Sequence, residues 1–425
     1  MLTTRPRGTA DITPGEIQKW RYVEGEFYRI CRAFGYAEIR TPVFEHTELF
    51  VRGVGDTTDI VEKEMYTFVD RGGRSITLRP ENTAPAVRAY LENGLYNAPK
   101  PVKLFYIGPM FRYDRPQAGR LRQFHQAGVE VFGSYDPAVD AETAAMAVGY
   151  LEGLGLKNLE LHINSVGCSS CRPVLRQKLK EFFASYSGEL CEHCRQRLSK
   201  NPLRVLDCKN ESCREAAALA PVTHDYLCGD CSRHFDRVKE YLKRAGVEFT
   251  VNPRLVRGLD YYTHTAFEIT APGIGAQSSV GGGGRYNGLV EACGGPPTPG
   301  VGFAVGLERV ILALDQQGIV LPDEGGLEVF VVSAGEKTSE EAFALLQEIR
   351  RKGISADKDY MGRSVKAQMK QAARSKAFYA VIAGEEELKA GCVVIKDMAS
   401  GEQKTVKRER AADCLFNLLS TGGRR

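Results

Sequence analysis

Arginines stand beside glycine runs at two places in this chain. Gly281 to Gly284 are followed at once by Arg285 and Tyr286, and Gly300-Val301-Gly302-Phe303-Ala304-Val305-Gly306-Leu307-Glu308 leads into Arg309. Glycine has no Cβ, so a ligand can approach the main chain closely there. A guanidinium beside such a surface suits an anion, because its planar fork matches phosphate or carboxylate. Arg285 and Arg309 are therefore both expected to face an anion. Arg257 follows the apolar pair Leu255-Val256 and leads into Gly258-Leu259-Asp260-Tyr261-Tyr262-Thr263. An arginine buried in such company needs an anionic partner. Tyr261 and Tyr262 could close a pocket around a small ligand, although single tyrosines are more often core residues.

Val102 to Tyr113 and Gln123 to Phe132 read as two strands of a hairpin, joined by a loop that includes Arg115-Pro116-Gln117-Ala118-Gly119-Arg120. Arg112, Asp114, Arg120 and Arg122 crowd this turn. Period-two alternation puts Phe124, Gln126, Gly128 and Glu130 on one face. Such a face offers an aromatic plate for a flat base and polar groups for a small ligand. Standing alone, the segment could also be a salt-bridged surface hairpin. Glu81 and Thr83, in Leu78-Arg79-Pro80-Glu81-Asn82-Thr83, could hold an ammonium group at a strand-to-helix turn. Asn82 and Thr83 are equally apt as a helix N-cap, and the two readings are compatible.

Eight of the 12 cysteines fall in close pairs: Cys168/Cys171, Cys191/Cys194, Cys208/Cys213 and Cys228/Cys231. In a reducing compartment, paired spacing favours metal over disulfides. One or two Zn²⁺ ions in Cys₄ sites would suit these pairs; reduced packing cysteines are the alternative.

These groups need elements to position them. A chain of 425 residues exceeds what a single core usually supports. Residues 16–34 and 141–154 read as helices, and Phe249 to Asn252 and Thr265 to Thr270 as strands. Residues 168–246 are cysteine-rich, helical and charged, and read as an insertion interrupting a domain spanning 1–325. A linker at Leu321-Pro322-Asp323-Glu324-Gly325-Gly326 leads to a second domain, 326–425, whose strands and helices alternate as in a small α/β unit with a largely parallel sheet. The net charge of +4 resides entirely in 326–425. There Arg363, Lys366, Lys370 and Arg374 recur at helical spacing, with no acidic residue between Asp359 and Glu385. Such a stripe suits a phosphate backbone, though by itself it is more often a solvated face. No apolar run reaches the ~20 residues needed to cross a bilayer, and the start lacks an apolar signal segment. The expected location is the cytoplasm.

The hairpin resembles motif 2 of class II aminoacyl-tRNA synthetases. Gly35 to Pro42 is similar to their motif 1, and Gly300 to Arg309 to their motif 3. The stretches LVRGLDYYTHTAFE from Leu255 and GGGGRYNGLV from Gly281 resemble the two histidine-specific motifs of the histidyl-tRNA synthetase family. The resemblance runs from Pro6 to the last domain.

That resemblance implies an α+β fold: a class II catalytic domain on a mostly antiparallel sheet flanked by helices, a helical cysteine-rich insertion, and a C-terminal α/β anticodon-binding domain. It implies a homodimer that joins L-histidine to ATP, with Mg²⁺, and transfers it to tRNA(His). By motif position, Arg112 would hold the α-phosphate and Arg257 its other side. Arg309 would bind the γ-phosphate and cover the adenine opposite Phe124. Arg120 would assist the phosphates, and Asp114 would reach the adenine amino group. Glu81 and Thr83 would take the α-amino end of histidine, and Gln126 its carboxylate. Glu130, Tyr262 and Tyr286 would read the imidazole, with Tyr261 beside them. Arg363, Lys366, Lys370 and Arg374 would contact tRNA. A non-catalytic paralogue that binds histidine to regulate its biosynthesis is the alternative, but such paralogues generally lack the catalytic arginines and the last domain.

Overall fold

The computed structural model describes residues 3–55, 58–186, 188–206, 208, 210–274, 278–322, 326–334 and 338–421. The chain divides into two compact units, Met1–Leu321 and Pro322–Arg425. Positions 323–325 of the expected linker lie outside the described residues.

The first unit is built on an eight-stranded sheet ordered Ala37–Glu38, Val102–Phe111, Gln123–Phe132, Gly300–Gly306, Ser279–Arg285, Thr263–Thr270, Glu160–Ser165, Thr250–Val251. Neighbours are antiparallel except at the two ends of the order, where Ala37–Glu38 and Thr250–Val251 pair in parallel. The mostly antiparallel α+β architecture is thus present. Alternation along the strands separates two faces. Ala127, Val129, Val131, Phe267, Ile269 and Val301 enter an apolar core with four helices: Ile17–Ala33, Pro137–Gly153, Gly229–Arg244 and Leu307–Gln316. The first helix contributes Trp20, Val23, Phe27 and Ile30, spaced to fall on one side. Each such buried side chain contributes roughly 1.5–3 kcal/mol.

The other face is lined by small residues. Gly128 pairs with Ala304, Ala304 with Gly282, and Gly282 with Glu268, making a row across four strands. Sequence patterning did not mark Ser279–Arg285 or Gly300–Gly306 as strands, because glycine is a poor strand former. Tertiary pairing overrides that preference. A Cβ on Gly283 would lie 2.0 Å from the Gly302 carbonyl oxygen, so the strands approach too closely for a side chain.

Between Leu175 and Ala220 the chain has a separate small core, including Leu179, Phe183, Val205 and Ala216. The Gly229–Arg244 helix, within the expected 168–246 insertion, instead buries Phe235, Val238 and Leu242 in the main core.

The second unit carries a five-stranded sheet ordered Ala356–Lys358, Val329–Ser333, Tyr379–Ala383, Cys392–Asp397, Gln403–Lys407. Its first two pairings are parallel and its last two antiparallel. The largely parallel sheet expected from helix–strand alternation is therefore mixed, because the last two strands follow one another as a hairpin. Among the described residues, no helix is long and apolar enough to cross a membrane.

Candidate functional site

A cavity of about 600 Å³ opens on the glycine-lined face of the first unit's sheet. It is lined by Arg112, Arg120, Arg257 and Arg309, together with Glu81, Thr83, Asp114, Phe124, Gln126, Tyr261, Tyr262 and Tyr286. Residues as far apart in the chain as Ile60 and Arg309 thus share one space, and the volume is that of a small-molecule site.

Each arginine is held by the fold before any ligand arrives. Arg112 donates from Nε to the Pro80 carbonyl at 2.8 Å and stands 5.4 Å from the Phe124 ring centre. Arg309 donates to the carbonyls of Ser279 at 2.7 Å and Gly119 at 3.2 Å. Arg257 donates to Glu268 at 3.0 Å. It lies across Gly282, where a Cβ would sit 2.9 Å from its Nη1. Arg120 pairs with Asp114 and lies 3.9 Å from Glu64. Burial lowers the pKa of Arg309, and the nearby charges of Arg120, Arg112 and Arg257 lower it further. Clustered cations that repel one another are poised to accept an anion.

The acidic and phenolic groups are also pre-set. Glu81 accepts from the backbone N–H groups of Thr83 at 2.7 Å and Ala84 at 3.0 Å, so it caps the Thr83–Glu92 helix. Capping was expected of Asn82 and Thr83. Asn82 instead accepts from Thr41 and Arg79. Among the described residues, Gln126 Oε1 is buried without a hydrogen-bond partner. The Tyr261 ring packs against Tyr262 at 4.7 Å and Tyr286 at 5.8 Å.

Two residues singled out in the sequence are almost wholly buried. Glu130 is only 1% exposed and is enclosed by Tyr286, Thr83 and Tyr106. It accepts from the hydroxyls of Tyr286 at 2.5 Å, Thr83 at 2.8 Å and Tyr106 at 3.3 Å. Burial raises its pKa to about 8 against the pull of those donors. Arg285, expected at a ligand anion, is 1% exposed and pairs with Asp140 from the Pro137–Gly153 helix. Despite full burial, Arg285 and His234 keep the Asp140 carboxyl well below the usual carboxylate range. The anion Arg285 needed is internal, and spacing alone could not reveal a partner 145 positions away.

Sequence reasoning missed Glu268, Glu64, Tyr106 and Arg254, of which Glu268, Tyr106 and Arg254 line the cavity and Glu64 stands by Arg120. A signal existed for Glu268: it is the lone carboxylate in the strand Thr263–Thr270, between Phe267 and Ile269. The second unit carries Arg363, Lys366, Lys370 and Arg374, all exposed. The Val365–Arg374 helix turns Gln368 and Ala372 inward. Gln368 locks it to the Ser333 backbone with two 2.9 Å bonds, leaving the basic side outward.

The cysteine pairs assemble first with fourth and second with third: Cys168, Cys171, Cys228 and Cys231 in one quartet, Cys191, Cys194, Cys208 and Cys213 in the other. Within each, the ligand atoms lie within 4.8 Å of one another.

A family model for histidyl-tRNA synthetase matches residues 8–310, which carry the whole cavity. The chain belongs to the histidyl-tRNA synthetase family. These are ATP-dependent aminoacyl-tRNA ligases, and ATP with Mg²⁺ goes with that membership. An anticodon-binding-domain model matches 328–418, in the second unit. A protein named histidine–tRNA ligase from Pelotomaculum thermopropionicum is 70% identical over 407 residues, covering 96% of each chain. One of the same name from Desulforamulus reducens is 62% identical, covering 96% of this chain and 97% of that one. The apo histidyl-tRNA synthetase structure from S. aureus superposes with a TM-score of 0.82 at 41% identity, covering 97% of this chain and 99% of that one.

Proposed function

We propose that the cavity joins L-histidine to ATP, giving histidyl-adenylate and pyrophosphate, and that the histidyl group then passes to the 3′-terminal adenosine of tRNA(His). The observation carrying this reading is the convergence of Arg112, Arg120, Arg257 and Arg309 on a cavity that also holds carboxylate, amide and phenol groups.

A carboxylate oxygen of histidine attacks the α-phosphorus. The bond from that phosphorus to the bridging oxygen breaks, and its electron pair leaves with pyrophosphate. Negative charge spreads over the phosphoryl oxygens as this happens. Cations fixed beforehand stabilise that charge without reorganising at the moment of reaction. Arg112, anchored on Pro80, grips one side of the α-phosphate, and Arg257, anchored on Glu268, the other. Arg309 takes the γ-phosphate and covers the adenine opposite Phe124, while Asp114 reaches the adenine amino group. Arg120 supports the bent triphosphate. Glu268 and Glu308 also line the cavity and would offer hard oxygen ligands to Mg²⁺ carried in with the phosphates, whose charge it would neutralise.

Glu81 and Thr83 receive the α-ammonium group and Gln126 the carboxylate. Tyr262 and Tyr286 read the imidazole, with Tyr261 packed beside them. Glu130 acts through Tyr286 and Thr83, whose hydroxyls it orients. A site that pairs both ring nitrogens rejects side chains that leave its groups unsatisfied.

The second unit reads tRNA through Arg363, Lys366, Lys370 and Arg374. The enzyme works as a homodimer in the cytoplasm, with structural Zn²⁺ in the cysteine quartets. Domains 1–325 and 326–425 divide adenylation from anticodon reading. Histidine-dependent exchange of pyrophosphate into ATP tests the assignment; its absence would leave a protein that binds but does not react.

A further inference from the structure

Each cysteine pair straddles the start of a helix: Cys171–Ala184, Glu192–Lys200, Glu211–Leu219 and Gly229–Arg244. Helix N-termini favour thiolates over thiols. Backbone N–H groups point at two of the sulfurs: Cys228 N to Cys171 Sγ at 3.1 Å, and Cys191 N to Cys213 Sγ at 3.2 Å. The Sγ atoms of Cys168 are 3.6 Å from Cys171 and 3.9 Å from Cys228, and Cys191 is 3.9 Å from Cys208. A tetrahedron of sulfurs about 2.3 Å from Zn²⁺ has edges of about 3.8 Å. All eight cysteines are free. The spacing fits a tetrahedral thiolate site and is far beyond the roughly 2.05 Å of a disulfide.

Both quartets reach the segment carrying Arg257, Tyr261 and Tyr262. Beside the first quartet, His264 donates its backbone N–H to Gly167 at 3.0 Å and accepts from Val166 at 2.7 Å. Arg172, next to Cys171, donates to the Asp260 carbonyl at 3.4 Å. From the side of the second quartet, Asn201 donates to the Asp260 carboxylate at 3.1 Å. Arg254 donates to the carbonyls of Ala217 and Ala218, at the end of the helix that holds Cys213. Residues 254–264 are thus held on one side by Val166, Gly167 and Arg172 at the first quartet, and on the other by Asn201 and the Ala217 and Ala218 carbonyls, from a part of the insertion with only a small core of its own.

We propose that each quartet binds one Zn²⁺ and that the two ions set the histidine pocket, by holding the insertion against residues 254–264. The insertion thereby serves the first half-reaction, which needs no tRNA. Binding replaces thiol protons with metal–sulfur bonds, so no oxidant or reductant is required. This inference rests on the assignment of the cavity to histidine and ATP.

Metal analysis of the full-length protein should find two zinc ions per chain, and Cys168→Ser and Cys191→Ser should each retain fewer. Chelation should raise the KM for histidine in pyrophosphate exchange, without tRNA, at least fivefold, and added Zn²⁺ should restore it. Asn201→Ala leaves both quartets intact. It should keep two zinc ions and an unchanged circular dichroism spectrum, yet raise the histidine KM. Fewer than two zinc ions in zinc-replete protein would overturn the sites. A histidine KM indifferent to both zinc removal and Asn201→Ala would overturn the coupling. Two bound zinc ions with no exchange at all would instead be a failure of the cavity's assignment.

Discussion

Tyr286 donates its hydroxyl to Glu130 at 2.5 Å, and both residues are about 1% exposed. The carboxyl meets the Thr83 and Tyr106 hydroxyls as well, so three elements converge on one acidic group. Burial, with Glu81 nearby, keeps it protonated up to a pH of about 8 despite these donors.

That raised pKa has a stability consequence. Between the ordinary carboxylate range and pH 8 the folded state holds a proton that the unfolded chain releases. The contribution is complete at low pH and is lost as pH rises through about 8. Glu130→Gln removes the titration while keeping the shape. Its melting temperature relative to wild type should therefore improve steadily from pH 6 to about 8.5. Parallel curves across that window would mean Glu130 is ionised in the folded protein.

Arg257→Ala should lower the rate of pyrophosphate exchange by about 10²-fold or more, with the fold intact by circular dichroism. Glu268→Gln, which keeps a hydrogen-bond acceptor but no charge, should lose less. Near-normal exchange by Arg257→Ala would remove it from the phosphate site.

A Cβ on Gly300 would meet the Tyr286 ring at 2.1 Å. That ring is walled in by Phe132 and Tyr261 and has little room to retreat. Gly300→Ala should displace it and raise the KM for histidine more than tenfold, roughly the loss of one buried hydrogen bond to a charged or ring group. The KM for ATP should change far less. Equal changes in both would show general disruption of the sheet.

Lys366→Glu combined with Lys370→Glu reverses charge on the exposed side of the Val365–Arg374 helix. Pyrophosphate exchange should be unaffected. The KM for tRNA in charging should rise, and its dependence on salt should flatten, because fewer counterions are released. Charging with unaltered salt dependence would place the tRNA contact elsewhere.

Much of this site was legible from residues alone. The motif 2 hairpin, Val102–Phe111 and Gln123–Phe132, follows from local alternation, which is a property of neighbours in sequence. The same alternation put Phe124 and Gln126 on the ligand side. Motif spacing brought Arg112, Arg257 and Arg309 under suspicion before any fold was known. Paired cysteines announced thiolate clusters.

Partner choice across the chain was not legible. Arg285 and Arg309 follow similar glycine runs, yet one is buried against Asp140 and the other lines the cavity. Glu130 shares a face with Gln126, but the tyrosine and threonine beside it come from distant segments and enclose it. Which cysteine pair joins which depended on how the insertion's helices return, first to fourth and second to third. Local spacing states what each group can bind. Only packing decides what lies within 3 Å of it, because contacts between distant segments are set by the whole sheet and its buried faces.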